Sequence, residues 1–305
     1  MIKKFILVIV LVSFRLVMVS QQDPMFTHYM FNTLWLNPAY AGTRNNLTFT
    51  GIHRSQWVSF EGAPIDQSFT LHSPIHSEKL GMGLSIINDQ IGPTKSSWIA
   101  LDAAYHLKLN KKAKLSVGLK GMVNIFRNNV SSLKLDVQND QAFSNNVQSI
   151  LPNAGTGIYY STKKFYVGIS SPRLIENKLG TSSAVLSKEQ RHYFLITGYV
   201  LDINKSILLK QTAFVKTTFG APVEADLTSV FIINDKLHLG LMYRTGDALG
   251  ALLGIQAHKQ FFIGYSFDWS FANTTGRYNS GSHEIVLRYD VIKKPEGKIK
   301  SPRYF

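Results

Sequence analysis

After Asn45 the sequence alternates between apolar and polar residues with a period of two. Between positions 99 and 107 the odd positions are apolar, and the residues between them include Asp102 and His106. A helix would spread these apolar residues around its circumference, whereas a strand places them on one face. The same alternation recurs at 115–125, 237–243 and 261–269. The pattern predicts β-strands with one apolar and one polar face.

About fourteen segments of this kind follow one another along the chain. Many contain nine or more residues, the length with which a tilted strand crosses a bilayer, whereas strands of soluble proteins average about five or six residues. The predicted strands are 46–59, 65–73, 79–88, 96–107, 113–126, 154–162, 164–171, 191–201, 206–217, 224–234, 236–245, 248–258, 260–270 and 282–290.

The connections between these segments alternate in length. Short connections are predicted at 74–78, 108–112, 163, 202–205, 235 and 259, and longer ones at 89–95, 127–153, 171–190 and 271–281. Outer-membrane barrels have short periplasmic turns and longer extracellular loops. The sequence therefore predicts an all-β fold, a transmembrane antiparallel up-and-down β-barrel of about 14 strands over residues 46–290, with both of its ends in the periplasm.

The composition agrees with a barrel in lipid. Of the 305 residues, 45% are hydrophobic and only 17% are charged. The polar face is rich in Gly, Ser, Thr and Asn, as in a barrel lumen, rather than in the Lys and Glu of a soluble surface. Aromatic residues at strand ends suit interfacial girdles; they are Trp57, Trp98, Tyr105, Tyr243, Trp269 and Tyr289.

The absence of cysteine excludes several classes of site. Disulfide frameworks, Cys-ligated zinc, iron–sulfur clusters and thiol nucleophiles all need cysteine. So does the acylated residue of a bacterial lipoprotein. Attachment to the membrane must therefore come from the barrel itself.

Residues 1–20 have the form of a secretory signal peptide. Lys3 and Lys4 precede an apolar run at 5–14, which is about half the length of a transmembrane helix. Cleavage after Ser20 would remove Lys3, Lys4 and Arg15 and lower the formal net charge from +14 to +11. Together with the barrel, this segment predicts location in the outer membrane.

Residues 21–45 differ in character from the strands and predict a periplasmic or plug segment. Asp23-Pro24 is typical of a helix start, and Asn37-Pro38 is typical of a stop. One helical face would carry Phe26, Tyr29, Met30, Thr33 and Leu34. So short a helix is unstable alone. We expect it to bury this face in the barrel mouth, on the barrel rim as a clasp, or on a partner.

The C-terminal residues 291–305 form a basic tail, predicted to be periplasmic. It contains five basic residues and one acidic residue, Glu296, which gives a net charge of +4. The tail could bind an acidic partner or remain solvated. The predicted loops 127–153 and 171–190 would face outside, either to meet a secreted protein or as ordinary variable loops.

We find no motif for catalysis, a cofactor or a metal. His72 and His76 are four residues apart, but Ser73-Pro74 favours a turn between them. His283-Glu284 lacks the second histidine of a zincin, since residue 287 is Leu. No phosphate loop, nucleophile elbow or aromatic-studded basic groove for nucleic acid is present. An outer-membrane hydrolase needs only a Ser or Asp and a His that meet in space, so this alternative stays open, as does a passive porin.

Several motifs resemble a known family. Residues 22–32 read Gln-Asp-Pro-Met-Phe-Thr-His-Tyr-Met-Phe-Asn, and residues 36–42 read Leu-Asn-Pro-Ala-Tyr-Ala-Gly. Further matches include Arg54-Ser55-Gln56-Trp57, Gly81-Met82-Gly83-Leu84, Gly168-Ile169-Ser170-Ser171-Pro172 and the closing Ser301-Pro302-Arg303-Tyr304-Phe305. Over the whole mature chain, the sequence resembles the PorP/SprF family of Bacteroidetes.

This resemblance implies an outer-membrane component of the type IX secretion system. Such barrels assist the secretion or surface attachment of particular substrates, including gliding adhesins, and associate with periplasmic components such as peptidoglycan-binding proteins. It implies no enzymatic activity. We expect partner-binding residues at Asp23, Pro24, Phe26, Tyr29, Met30, Asn37, Pro38, Tyr40, Gly42, Arg303, Tyr304 and Phe305.

Overall fold

The structure is a computed structural model that describes residues 24–75, 77–132, 146–181, 184–271 and 280–292. The signal peptide predicted at 1–20 lies outside these residues, as does the basic tail from residue 293 onward. No helix in the described ranges has the length and apolar character needed to cross a membrane.

Fourteen antiparallel strands form a closed barrel. They are β1 (Leu47–Ser55), β2 (Ile65–Pro74), β3 (Leu80–Ile91), β4 (Thr94–Lys108), β5 (Lys114–Asn128), β6 (Val147–Ser161), β7 (Phe165–Ser171), β10 (His192–Asp202), β11 (Ile207–Thr218), β12 (Glu224–Ile233), β13 (Leu237–Arg244), β14 (Ala248–His258), β15 (Phe261–Ser270) and β16 (Ser282–Val291). A separate hairpin, β8 (Lys178–Thr181) with β9 (Ala184–Lys188), lies in the connection between β7 and β10.

The first and last strands close the ring. β1 pairs with β16 from Leu47 opposite Val291 to Ser55 opposite His283. Every other barrel strand pairs with its neighbours in sequence, and β7 pairs directly with β10 across the β8–β9 hairpin. The all-β barrel predicted from the alternation is confirmed, including its fourteen strands.

The two faces of each strand have different environments. In β4 the even-numbered residues Asp102 and His106 are buried inside the barrel, while the odd-numbered Leu101 is 60% exposed on the outside. The other strands repeat this alternation. The apolar outer face would meet lipid, which explains a sequence with many apolar and few charged residues.

Four of the six aromatic residues predicted for the girdles face outward near strand ends. These are Tyr105, Tyr243, Trp269 and Tyr289. The prediction is wrong for Trp98, whose even position in β4 turns it into the lumen, 6.0 Å from the ring of Trp35. Trp57 follows the end of β1 with a left-handed φ of 45°, and its place in a girdle stays a prediction.

Some strand boundaries differ from those predicted. β6 begins at Val147 rather than at 154, because β5 continues to Asn128 and offers pairing partners along that length. The long connection predicted at 89–95 is a two-residue turn, Gly92-Pro93, since β3 and β4 stay paired up to Ile91 and Thr94. β1 ends at Ser55 rather than at 59, where the left-handed backbone of residues 57 and 59 cannot continue a strand.

The barrel has two rims of different structure. The short-turn rim consists of residues 75–79, 109–113, 162–164, 203–206, 234–236 and 259–260, together with the start of β1 and the end of β16. The opposite, long-loop rim carries the connections 56–64, 92–93, 129–146, 172–191, 219–223, 245–247 and 271–281. We expect the short-turn rim to face the periplasm, because outer-membrane barrels have short periplasmic turns.

Single cysteines will test this orientation, because the native chain contains none. Phe219 is 97% exposed on the long-loop rim, and Lys111 is exposed on the short-turn rim. A membrane-impermeant maleimide should label Phe219→Cys on intact cells and Lys111→Cys only after the outer membrane is opened. The unlabelled native chain is the control, and the reverse order of labelling would contradict the assignment.

Candidate functional site

The lumen is filled by residues 24–46, which we call the lumen segment. Of residues 24–42, all are buried except the half-buried Met25 and Phe31. Thr27 contacts Glu284 near the long-loop end of β16, while Ala41 and Gly42 lie against Gly81 at the short-turn end of β3. The segment therefore runs down the inside of the barrel from one rim to the other before β1 begins, and it does not clasp the outer rim.

A short helical segment before the first strand is confirmed, but it is not the single continuous amphipathic helix that the sequence predicts. The described residues form a 3₁₀ turn at Tyr29–Phe31, one α-helical turn, α1, at Thr33–Leu36, and a 3₁₀ turn at Pro38–Tyr40. The lumen wall takes over backbone hydrogen bonds that a continuous helix would make. The Ser170 hydroxyl donates to the Leu36 carbonyl at 2.7 Å, for example, and the Gly42 N–H donates to His72 Nδ1 at 3.1 Å.

A buried charged cluster holds the N-terminal end of the lumen segment. Glu284 accepts hydrogen bonds from the backbone N–H groups of Thr27 at 2.8 Å and His28 at 2.7 Å, and its Oε1 lies 2.8 Å from His28 Nδ1. Arg54 donates to Thr27 Oγ1 at 2.7 Å and to Asp268 at 2.6 Å, and lies 3.3 Å from Glu284. We call Thr27, His28, Arg54, Asp268 and Glu284 the Glu284 cluster. None is more than 3% exposed.

The barrel register creates this cluster. Arg54 on β1 is directly opposite Glu284 on β16, and Glu284 is opposite Ser266, two residues from Asp268 on β15. One guanidinium thus pairs with two carboxylates, which would be costly if buried without any partner. The spare acceptor capacity of Glu284 binds the two backbone N–H groups, so the cluster connects the wall to the lumen segment.

Lys120 holds the centre of the segment. Its Nζ donates to the carbonyls of Leu34 at 3.3 Å and Trp35 at 3.0 Å, near the end of α1. The same ammonium lies 3.3 Å from Asp102, its cross-strand partner, and 4.8 Å from the centre of the Trp35 ring. A cation at the end of a helical turn satisfies carbonyls that have no partner within the turn.

Close backbone approach positions the third part of the segment. Asn37 Nδ2 donates to the Ile158 carbonyl at 3.0 Å, and Asn37 Oδ1 accepts from the Ala39 N–H at 2.9 Å. Pro38 and Ala39 press against Gly118, where an added Cβ would lie only 2.2 Å from the Ala39 nitrogen. Only glycine fits at this contact between two backbones.

The segment leaves the lumen at Gly42 and Arg44. Gly42 has a left-handed φ of 75°, a conformation that favours glycine. Arg44 then makes a two-point ion pair with Asp290, with Nε 3.2 Å and Nη2 3.1 Å from the carboxylate oxygens, and the Thr48 hydroxyl donates to the same carboxylate at 2.7 Å. This buried pair fixes the short-turn end of the segment to β16.

The connection 172–191 covers part of the long-loop end. Asn153 Oδ1 accepts from the N–H groups of Leu174 at 3.0 Å and Ile175 at 2.9 Å. The buried Glu189 carboxylate accepts from Asn124 at 3.1 Å and from Asn177 at 2.9 Å. Burial lowers the pKa of the Arg173 guanidinium, an effect partly offset by the nearby Glu189 charge. This loop is therefore tied to inward-facing residues of β5 and β6.

The structure brings together most of the predicted partner-binding residues. Those in the lumen are Pro24, Phe26, Tyr29, Met30, Asn37, Pro38, Tyr40 and Gly42. All are buried against the barrel wall, so their binding to another protein stays a prediction. Asp23, Arg303, Tyr304 and Phe305 lie outside the described residues.

The histidine motifs separate in the structure. His72 is buried and accepts the Gly42 N–H, whereas His76 lies outside the described residues. His283 faces outward beside Tyr265, and its neighbour Glu284 faces the lumen. The part of the chain that the structure describes contains no group of three or more His, Cys, Asp or Glu residues placed to hold a metal.

Hydrophobic–polar alternation alone does not single out the residues that hold the lumen segment. It places Asp102, Lys120, Asp268 and Glu284 on the polar strand faces and goes no further. A signal was available, because an isolated charge on the inward face of a membrane strand needs a partner. Alternation does not show which oppositely charged residue each of these inward-facing charges pairs with.

Replacing Glu284 should release the N-terminal end of the lumen segment. Glu284→Gln keeps the shape but removes the charge of the group that accepts the Thr27 and His28 N–H bonds, and hydrogen bonds to charged groups contribute about 1.5–3 kcal/mol each. We expect faster hydrogen exchange at the Thr27 and His28 amides. Glu61→Gln, in an exposed loop, is the matched control. Unchanged exchange in Glu284→Gln would show that the carboxylate does not hold the segment.

Gly118→Ala should displace the segment at Pro38–Ala39. The new Cβ would meet backbone, and overpacking of this kind costs about 1–3 kcal/mol. We expect larger or noisier single-channel conductance in planar bilayers. Gly121→Ala on the same strand is the matched control, because a Cβ there has nothing within 4 Å. Equal conductance in both variants would contradict a close fit of the segment at Gly118.

Comparisons with solved structures find other outer-membrane barrels. A Pseudomonas aeruginosa FadL homologue is 13% identical with a TM-score of 0.46, covering 84% of this chain and 93% of its own. Omp33 of Acinetobacter baumannii is 10% identical with a TM-score of 0.45, covering 82% of this chain and 98% of its own. The KdgM porin is 10% identical with a TM-score of 0.38, covering 79% and 98%. Similarity this low provides no evidence on function.

The search of curated proteins gives no significant match. In contrast, the family model described as "Type IX secretion system membrane protein PorP/SprF" matches residues 18–289. This range includes the whole barrel except the last residues of β16, together with the lumen segment. The chain therefore belongs to the PorP/SprF family of type IX secretion system membrane proteins, and it is an outer-membrane β-barrel.

Proposed function

We propose that this barrel is a non-enzymatic outer-membrane component of the type IX secretion system that assists the secretion or cell-surface attachment of specific substrate proteins. The observation that carries the proposal is the family match over residues 18–289. Its substrates are secreted surface proteins, a class that could include gliding adhesins. The barrel needs no cofactor for this role, and nucleic acid has no part in it.

The filled lumen supports a role other than passive diffusion. Hydrogen bonds from Thr27 and His28 to Glu284 fix the lumen segment near the long-loop rim, and the Arg44–Asp290 ion pair fixes it near the short-turn rim. Lys120 holds it in the middle. A general porin keeps a polar, water-filled channel for its solutes. Here the corresponding space contains the protein's own chain, so the rims are the surfaces left for partners.

The two rims offer separate contact surfaces. We propose that the long-loop rim meets the secreted substrate, with the loops 172–191 and 219–223 among the contacts. The periplasmic side would meet other components of the secretion machine, including a peptidoglycan-binding protein. We assign Arg303, Tyr304 and Phe305, with the basic tail, to these periplasmic contacts because the tail follows β16 at the short-turn rim.

Co-purification and deletion will test this function. A tagged full-length chain, solubilised from outer membrane in mild detergent, should retain a type IX secretion component and a surface protein. Deleting the gene should remove that surface protein from the cell surface and leave other surface proteins in place. A chain ended after Ile292 keeps all of β16 and should lose the periplasmic component only.

Different results would favour the alternative functions. Capture of no secretion component, together with constant open conductance and altered solute uptake in the deletion strain, would support a passive porin. Turnover of a lipid or peptide that disappears on one Ser, Asp or His substitution would support a hydrolase. Either result would overturn the proposal.

A further inference from the structure

The short-turn rim carries a concentration of positive charge. Its described turn residues include eight lysines and only two carboxylates, Glu78 and Asp235. We call the eight lysines the lysine ring; they are Lys79, Lys111, Lys112, Lys163, Lys164, Lys205, Lys236 and Lys259. The described connections of the long-loop rim contain four basic and four acidic residues. The charge is therefore specific to one end of the barrel.

The lysine ring follows the circumference of the barrel. Each of the six short turns contributes at least one lysine. Seven of the eight are exposed, and the half-buried Lys164 pairs with Asp202. The nearby Glu78 carboxylate is used by strand residues, Lys108 at 2.9 Å and Lys114 at 3.7 Å. Most of the ring charge is thus directed to the surroundings of the barrel.

Exposed apolar side chains accompany the lysines in three of the six short turns. Ile75 is 59% exposed, Leu109 55% and Ile203 54%, although each lies beyond the end of a membrane-crossing strand. Lysines close to exposed aliphatic residues are typical of the boundary between acyl chains and headgroups. At that depth the aliphatic groups stay in the hydrocarbon and the ammonium groups reach the phosphates.

We propose that the lysine ring binds the anionic phospholipid headgroups of the inner leaflet of the outer membrane. Negative lipid surfaces attract basic segments that lie within a Debye length of them. Lipid surrounds the barrel and meets every short turn at the membrane boundary. The distribution of lysines over all six turns and the accompanying aliphatic residues therefore favour lipid.

Native mass spectrometry of the full-length protein will test this binding. The protein is released from nanodiscs of phosphatidylcholine containing a minor fraction of phosphatidylglycerol, and the retained lipids are counted. The combined substitutions Lys79→Gln, Lys111→Gln, Lys205→Gln and Lys236→Gln change four different turns. We expect the retained ratio of phosphatidylglycerol to phosphatidylcholine to fall at least about fivefold.

Two control variants distinguish the loss of charge at the lysine ring from the loss of charge elsewhere and from the change of side chain. Lys95→Gln, Arg127→Gln, Lys178→Gln and Lys188→Gln remove the same number of charges from exposed positions near the long-loop rim and should leave the ratio unchanged. A variant with Arg at the same four ring positions should also leave the ratio of phosphatidylglycerol to phosphatidylcholine unchanged. An unchanged ratio in the ring Gln variant would overturn the proposal, as would an equal loss in both Gln variants.

Two further measurements keep the test decisive. Rising salt should reduce the retention of phosphatidylglycerol by the unmodified protein, a measurement that does not depend on whether any variant folds. A ratio that does not change with salt would overturn the proposal. Binding to purified peptidoglycan that is lost in the ring Gln variant, with lipid retention unchanged, would overturn it in favour of peptidoglycan. Selective retention of lipid A phosphates over phosphatidylglycerol would overturn the assignment to the inner leaflet.

Discussion

Inside a bilayer no water is available to the backbone N–H and C=O groups of an unpaired strand edge, and the pairing of β1 with β16 removes both edges of this sheet. The rest of the structure depends on that closure. It turns one face of every strand to lipid and encloses the other. It also sets Arg54 on β1 opposite Glu284 on β16, two residues that lie far apart in the sequence.

An enclosed polar face has a second requirement, because buried charges without partners are costly. Cross-strand ion pairs provide partners for some of the buried charges on the lumen wall, and the lumen segment provides partners for others. Glu284 binds two of the segment's N–H groups, and Lys120 binds two of its carbonyls. The wall and the segment therefore complete each other's hydrogen bonds, which explains how a chain of short turns can remain buried without forming a continuous helix or a strand.

With the lumen filled, the differences between the rims become important for function. The described connections of the long-loop rim contain equal numbers of basic and acidic residues, and hydrogen bonds to Glu189 hold the connection 172–191 against the barrel. The short-turn rim, in contrast, is strongly basic. A component of a secretion machine must be oriented in its membrane and must offer distinct surfaces on the two sides. The lysine ring provides an electrostatic reason for one orientation.

The sequence by itself determined the features that depend on residues close together in the chain. Alternation with a period of two established the strands, their number and their lipid-facing positions, as at Leu101. The same parity places Trp98 inward and so overrides the girdle position predicted for it. Only the tertiary structure decided which charges meet, since Thr27 and Glu284 are 257 residues apart. It also decided that residues 29–40 form separate turns and that β6 begins at Val147, because the lumen wall and β5 supply hydrogen bonds that no local pattern encodes. Strand faces are local properties, whereas the contents of the lumen follow from closure of the ring.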